Sequence, residues 1–307
     1  SRVLTTPVYS AYVKIGEGCN NGCTFCIIPH VRGPLYSRPT ESIVAEVKRL
    51  AANGVKEINL IAQDTTSYGV DLAGKSLLAE LLKELVKIDG VKWIRLFYLY
   101  PHYFTDELME LIVKEDKICP YVDLPLQHIS QDVLTRMNRR DTKADVLKLV
   151  GKLTQRGRKL ALRSTFIVGF PGETEEEFRE LCDFVERTKF DAVGVFTYSQ
   201  EEGTPAAKMA DQVPEEVKEE RYHRLMAIQA KVSEERNREL EGTVHPFIVE
   251  ELTEEGGRLQ AVGRLDIQAP EVDGLTYVEN GEELNAGDII LVKVVQGFAY
   301  DVIAERV

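Results

Sequence analysis

The sequence predicts an α/β chain: a complete or partial β/α barrel over residues 1–213, a connecting helix over 214–240, and a small all-β, OB-like domain over 241–307. Three observations predict it. Short β-rich runs alternate with amphipathic helical patterns, which argues for parallel strands with crossover helices outside. A long charged segment, PEEVKEERYHRLMAIQAKVSEERNREL, opens on Pro214, a residue suited to a first helical turn. Beyond Gly242 the texture changes to short β segments separated by Gly and Asn turns.

Taken in order, the predicted barrel strands are AYVKIGE (11–17), EINLIA (57–62), WIRLFYL (93–99), YVDLPLQ (121–127), LRSTFIVGF (162–170) and AVGVFTY (192–198). Between them fall the helical patterns ESIVAEVKRLAANG, ending at Gly54, and SLLAELLKELVKIDG, ending at Gly90. Further helices are expected from Thr105 to Lys117 and over DVLTRMN, ADVLKLVGKLTQRG and EEEFRELCDFVERT. Thr174 with Glu177 has the spacing of a capping box. In the connecting helix, Val217, Leu225, Ile228 and Val232 form the face that can seat on the barrel. The final domain draws on VHPFIVEEL, LQAVGRL, TYVEN and IILVKVVQGFAYDVIAERV. With about six βα units the chemistry is expected at the C-terminal strand ends.

Composition sets outer limits. Hydrophobic content of 44% and charged content of 29% are those of a globular chain that buries a core. No run approaches the roughly 18 apolar residues of a membrane span, and SRVLTTPVYS lacks a signal-peptide core. The net charge of −12 is uneven: residues 241–307 hold four Lys/Arg against fourteen Asp/Glu. Such a surface repels phosphate backbones, so nucleic acid is disfavoured as the main partner.

Cysteine usage is the sharpest signal. Cys119 and Cys182 stand alone and are expected to be buried, inert thiols. Cys19, Cys23 and Cys26 sit within eight residues at C-x3-C-x2-C spacing, in a loop leaving the first strand. A zinc site needs a fourth ligand, for which only His30 is close by in sequence. A redox C-x-x-C would leave Cys19 unexplained. An iron–sulfur cluster with one open iron fits three thiolates, and Gly18 and Gly22 let the backbone wrap closely. Three free thiols also point to a reducing compartment, hence the cytoplasm. Gly69-Val-Asp-Leu-Ala-Gly74-Lys75-Ser76 matches a phosphate-binding P-loop, but it does not spring directly from a strand, and Asp71 would oppose phosphates.

The cysteine spacing after a first strand, with Phe25 before the last Cys, is similar to that of radical S-adenosylmethionine (SAM) enzymes. EGCNNGCTFCIIPHVRGPLYSRP narrows the resemblance to methylthiotransferases. LIAQDTTSYGVDL, YVDLPLQHIS, LRSTFIVGFPGET and YSQEEGTPAA resemble the RimO branch. The tRNA-modifying MiaB branch, the alternative, usually has GQN where this chain has AQD. The C-terminal segment is similar to a TRAM domain, and its acidity suits a basic protein substrate better than RNA.

The resemblance implies a radical-SAM-type partial barrel whose three cysteines hold a 4Fe-4S cluster. Its open iron binds SAM, and an electron from an external donor cleaves SAM to a 5′-deoxyadenosyl radical. It implies methylthiolation of an aspartate β-carbon in the small-subunit ribosomal protein S-twelve, reached through the barrel mouth and the acidic C-terminal domain. It also implies a SAM pocket drawn from Phe25, Gln63, Asp64, Gln127, Arg163, Ser164, Thr165, Val168 and Gly169, with His128 nearby. Family members carry a second 4Fe-4S cluster on three upstream cysteines. The chain is therefore expected to be a monomeric fragment that cleaves SAM but does not complete methylthiolation. A colourless zinc-binding interaction module is the other class of reading. Trp93, Phe97 and Tyr100 are read as packing, and Arg139–Arg140 as a solvated helix end.

Overall fold

The computed structural model describes residues 6–155, 160–255, 257–279 and 281–307. The barrel half runs β1 Ser10–Lys14, β2 Gly16–Glu17, α1 Ile28–Arg32, β3 Tyr36–Ser37, α2 Thr40–Ala52, β4 Glu57–Ile61, α3 Val70–Ala73, α4 Leu78–Leu85 and β5 Trp93–Leu96. It continues with α5 Asp106–Lys114, β6 Tyr121–Asp123, α6 Gln131–Arg136, α7 Lys143–Thr154, β7 Ala161–Val168, α8 Glu175–Thr188 and β8 Ala192–Thr197. The long helix α9 spans Glu215–Arg238. Then come β9 Val244–Glu255, β10 Arg258–Leu265, β11 Thr276–Glu279, β12 Ile289–Gly297 and β13 Val302–Arg306.

Strands β1, β4 and β5 pair in parallel, as do β6, β7 and β8. A parallel bridge from Ile94 to Ile118, and the Leu99 amide bonded to the Asp123 carbonyl, join the two groups. The result is a six-stranded curved sheet in sequence order. Among the described residues no ladder joins β1 to β8, so the barrel is open there. The C-terminal segment closes into a five-stranded barrel, β10-β11-β13-β12-β9.

Alternation along the strands explains the layering. Ile58 and Leu60, Ile94 and Leu96, Val122, and Phe166 and Val168 face outward and are buried under helix residues such as Val47, Leu82, Ile112, Val150, Phe178 and Leu225. The opposite face carries Ser10, Glu57, Asn59, Arg95, Asp123 and Arg163. The C-terminal barrel covers this face, meeting Glu57 through Arg264, Arg95 through the Asp266 carbonyl and Arg163 through Asp273. The Glu57 carboxylate accepts from Arg264 Nη2 and Nη1 (2.8 and 3.2 Å), Arg95 Nε (3.3 Å) and Ser10 Oγ (2.8 Å). Burial alone would raise the Glu57 carboxyl, but Arg264 and Arg95 outweigh it and hold it down to about 2. An apolar layer of Trp93, Phe97, Tyr121, Phe247, Ile267 and Val292 surrounds this network.

Several expected elements end early, for local reasons. The strand over 11–17 splits: Ile15 separates β1 from β2, which pairs antiparallel with β3. WIRLFYL stops at Leu96 because Tyr98 takes φ +56 and its amide turns to Asp123 Oδ2 (2.9 Å). YVDLPLQ stops at Asp123, since Pro125 has no N–H to give a ladder. The helix expected over SLLAELLKELVKIDG begins at Leu78 and ends at Leu85. Thr174 and Glu177 do form a capping box on α8. The tail of ADVLKLVGKLTQRG beyond Gln155 lies outside the described residues, as does the last residue of TYVEN. Among the described residues no helix is long and apolar enough to cross a membrane.

Candidate metal centre and cofactor pocket

The loop between β2 and α1 carries Cys19, Cys23 and Cys26, all free thiols and all half-buried. It lies at the C-terminal end of the strands, opposite the end that the C-terminal barrel covers. Its fold is over-determined. The Cys19 amide donates to the Gly33 carbonyl (3.1 Å), and Gly18 has φ +75 with room for no side chain: a Cβ would stand 2.1 Å from the Pro34 carbonyl oxygen. Thr24 bonds through its amide to Met137 O (3.0 Å) and through its hydroxyl to Arg136 O (2.9 Å). Asn138 Nδ2 donates to Gly22 O (2.7 Å), and Arg140 Nη2 to Asn20 O (3.0 Å). The segment after α6 thus cradles the cysteine loop. Phe25 packs edge-on against Phe170 (6.4 Å), pinning the loop to the end of β7.

Burial pushes the Cys19 thiol up; the Asn21 amide, 3.4 Å from its sulfur, lowers it, and Asp64, Cys23 and Cys26 raise it further. Burial likewise raises the Cys26 thiol, opposed by the Ile28 amide and reinforced by Cys23. The Cys19 and Cys26 thiolates are therefore disfavoured by burial first and by neighbouring charge second, a penalty that a bound cationic metal relieves. Among the described residues no three His, Cys, Asp or Glu side chains converge on one point as a single-ion site requires. His30 is exposed on α1. A polynuclear cluster takes its thiolates on separate irons and needs no such convergence, so this donor set fits a cluster better than zinc.

The other candidate residues divide into two groups. Gln63, just past β4, donates through Nε2 to Glu17 (3.1 Å), while its Oε1 is buried with no partner, an acceptor available to an ammonium group. Gln127 follows β6 with φ +71, and its backbone is locked between the Thr165 carbonyl (2.8 Å) and the Ile167 amide (2.9 Å). Positive φ at a non-Gly residue is strain of the kind found at binding sites. Thr165 is half-buried on the inner face of β7. Gly169 has φ +71 and a Cβ there would meet Lys218 Cγ at 2.3 Å, so α9 presses on this turn.

The rest are engaged elsewhere. Asp64 accepts from Asn21 Nδ2 (2.8 Å), Thr66 Oγ1 (2.6 Å) and the Ser67 amide (3.1 Å), so it caps the turn after β4 and tethers the cysteine loop. Ser164 Oγ donates to Leu124 O (2.9 Å), and the Val168 side chain is in the outer core. Arg163 pairs with Asp123 (3.0 Å) and with Asp273 of the C-terminal barrel (3.6 Å). It lines a cavity of about 490 Å³ between β7, β8, α9 and that barrel. His128 is fully buried; its Nδ1 accepts from the Ser130 amide (3.0 Å), and burial lowers it to about 3, so it stays neutral.

One expectation is corrected, and the structure accounts for the P-loop match that the sequence context argues against. Arg140 is exposed but Arg139 is no solvated helix end: it stacks on Tyr100 (4.1 Å), bonds Pro125 O (3.0 Å) and brings Nη1 to 3.8 Å from Cys23 Sγ. The sequence signal for this was only an Arg pair after a helix, which does not say where the side chains turn. Residues 69–76 form no phosphate cradle: α3 and two left-handed glycines occupy it, Asp71 accepts from the Ser37 amide and Lys75 pairs with Glu80.

A family model described as the Radical SAM superfamily matches residues 13–185, and one described as a TRAM domain matches residues 242–307. The ribosomal protein uS12 methylthiotransferase RimO of Geobacter sulfurreducens is 52% identical over 305 residues, 99% of this chain and 68% of that protein. The chain belongs to the RimO family of radical SAM enzymes. The RimO protein of Geotalea uraniireducens is 50% identical over 306 residues, again 68% of its length. The fold has distant solved neighbours. The radical SAM methyltransferase TsrM of Kitasatospora setae superposes with TM-score 0.52 at 21% identity, covering 64% of this chain and 38% of TsrM. HemN of Escherichia coli gives TM-score 0.54 at 18% identity over 72% and 52% of the two chains. At these identities the likeness speaks for the fold alone. Within the RimO family, radical SAM barrel and TRAM domain are the two halves described above.

Proposed function

We propose that this chain is the radical-generating part of a methylthiotransferase that modifies the β-carbon of an aspartate in ribosomal protein uS12. The observation that carries the reading is the cysteine loop: three free thiols on one rigid loop at the strand C-termini, in a chain 52% identical to a RimO protein. Cys19, Cys23 and Cys26 would hold a 4Fe-4S cluster with one open iron. When bound, the cluster supplies the electron that cleaves SAM, with the electron delivered by an external donor.

The chain's own residues orient that chemistry. Gln63 offers its unpartnered Oε1 to the SAM amino group; Gln127, Thr165 and the Gly169 backbone line the remaining wall, and Phe25 shields the loop from water. Asp64, Ser164 and Val168 hold these groups in place rather than touching SAM. Arg163 serves the contact between barrel and TRAM domain. The substrate approaches the open mouth, while the acidic TRAM surface draws in a basic partner.

Cys119 and Cys182 are both buried, and burial raises both thiols, Cys119 to about 12. They offer no ligand set for a second cluster, whose thiols we place outside residues 1–307. Cluster chemistry and free thiols suit a reducing, cytoplasmic setting.

The test is anaerobic reconstitution with iron and sulfide, followed by SAM together with both uS12 and tRNA. The expected result is a brown protein that cleaves SAM, lost in Cys23→Ala, with a methylthio mass on uS12 only when the longer protein is used. A methylthio mass on tRNA alone overturns the substrate assignment, and a colourless, zinc-loaded protein overturns the enzyme reading.

A further inference from the structure

Arg139 has a geometry that neither loop support nor solvation accounts for. Its guanidinium lies over the Tyr100 ring at 4.1 Å, Nη2 donates to the Pro125 carbonyl at 3.0 Å, and Nη1 points at Cys23 Sγ from 3.8 Å. The supports are themselves fixed. Tyr100 is 6% exposed, and burial pushes its phenol up to about 12, so the ring stays neutral and presents an unperturbed π face. Pro125 lies two residues beyond the end of β6. The Arg139 amide is bonded to Leu134 O at 2.9 Å, which closes the turn after α6. Among the described residues no carboxylate lies within ion-pair distance of Arg139; Asp141 feels it at longer range.

The charge around the three thiols is therefore lopsided. On the Cys19 side stands the buried carboxylate of Asp64, reached through Asn21. On the Cys23 side stands a guanidinium, whose positive charge is permanent at any working pH. Arg140, next in sequence, reaches the same loop but only at the Asn20 carbonyl, and it is exposed. Two adjacent arginines thus support one loop, and only one of them faces a sulfur.

We propose that Arg139 is a positioning residue that holds a fixed positive charge against the Cys23 ligand and raises the reduction potential of the cluster. The proposal rests on the cluster assignment made above. One-electron reduction adds a negative charge to the cluster and its thiolates. A cation held near one ligand sulfur in a half-buried site favours that reduced form, and hydrogen bonding to cluster sulfurs acts in the same direction. Its rigid supports keep the guanidinium from swinging to solvent, so little reorganisation is needed as the charge arrives.

The experiment is an EPR-monitored reductive titration of the reconstituted chain, with iron per chain measured on every sample. Arg139→Gln is expected to retain wild-type iron and shift the reduction equilibrium toward the oxidised form by about tenfold or more, which for one electron is 59 mV. Arg139→Lys keeps the charge and is expected to show less than half that shift on the same logarithmic scale. Arg140→Gln loosens the same loop without removing charge from a sulfur, and is expected to stay within about threefold of wild type. A purely structural role would lower iron content alike in both Gln variants and leave the potential of the loaded fraction unchanged. Should Arg139→Gln not fold, Tyr100→Leu frees the guanidinium and is expected to shift the equilibrium in the same direction. An Arg139→Gln equilibrium within twofold of wild type at full iron overturns the proposal alone, as does an unshifted Tyr100→Leu. Failure of the wild-type chain to assemble any cluster overturns both this proposal and the assignment beneath it.

Discussion

Glu57→Gln is expected to be the most damaging single isosteric change away from the cysteine loop. Glu57, Arg95 and Arg264 have side chains no more than 1% exposed, and one carboxylate serves both guanidinium groups. In the variant, Arg264 keeps Glu250 at 2.7 Å, while Arg95 keeps only the Asp266 carbonyl at 3.0 Å and the faces of Trp93 and Tyr121. Removing one member of a buried ion network costs about 3–5 kcal/mol, because a charge stays behind without compensation. The depression of the Glu57 carboxyl from 4.5 to about 2 corresponds independently to about 3 kcal/mol. For a domain of this size that is a fall in Tm of roughly 6–20 °C at neutral pH. The sign of the pH dependence follows from the depressed value. The contribution is complete above about 4.5 and is lost as pH falls toward 2, so wild type should lose its advantage over Glu57→Gln across that window. Calorimetric unfolding of both proteins between pH 2 and pH 7 measures this. A Tm difference below about 2 °C at pH 7, or one that does not shrink on acidification, would refute the network's role. Glu250→Gln, whose carboxylate is 27% exposed, is the control and should cost less than about 1 kcal/mol.

Gly18→Ala places a Cβ 2.1 Å from the Pro34 carbonyl oxygen, at φ +75, and should lower iron retention after reconstitution while leaving the far-UV spectrum intact. Unchanged iron per chain would show that the loop tolerates the strain, which typically runs to about 1–3 kcal/mol. Gln63→Leu removes the unpartnered acceptor, and anaerobic calorimetry should find SAM binding weakened by roughly tenfold, the worth of about one hydrogen bond to a charged donor. Thr174→Ala opens the capping box of α8 and should cost about 1 kcal/mol in denaturant unfolding with no change in SAM affinity.

The fold was legible where local chemistry is periodic. Outward positions such as Ile58, Leu60, Ile94 and Leu96 alternate with partners on the inner face, and helix faces such as Leu78, Leu81, Leu82 and Leu85 repeat at helical spacing. The three-thiol loop was legible because its residues are neighbours in sequence. What stayed hidden depended on distance along the chain. Arg139 meets Cys23 across 116 residues, and Glu57 meets Arg264 across 207. A charged residue on a strand gives the same local signal whether it faces solvent or a second domain. Arg163 therefore read as a pocket residue, whereas its partner Asp273 belongs to the C-terminal barrel. The positive φ at Tyr98, which ends one strand early, and at Gln127, beside the candidate pocket, had no glycine to announce it.

The separation of Glu57 from Arg264 also bears on how the molecule is made. A ribosome adds about 5–20 residues each second, so those 207 positions represent roughly 10–40 s of synthesis. Throughout that interval the nascent β4 strand carries a carboxylate without its main counter-charge, and the polar inner face has no barrel packed over it. Gly169 waits as well, because Lys218 presses on it only once α9 has emerged. Both ends of the sheet are thus completed by chain made after it, the cysteine end by α9 and the far end by the C-terminal barrel. A nascent chain halted before Arg264 should remain a client of chaperones, however complete its cysteine loop.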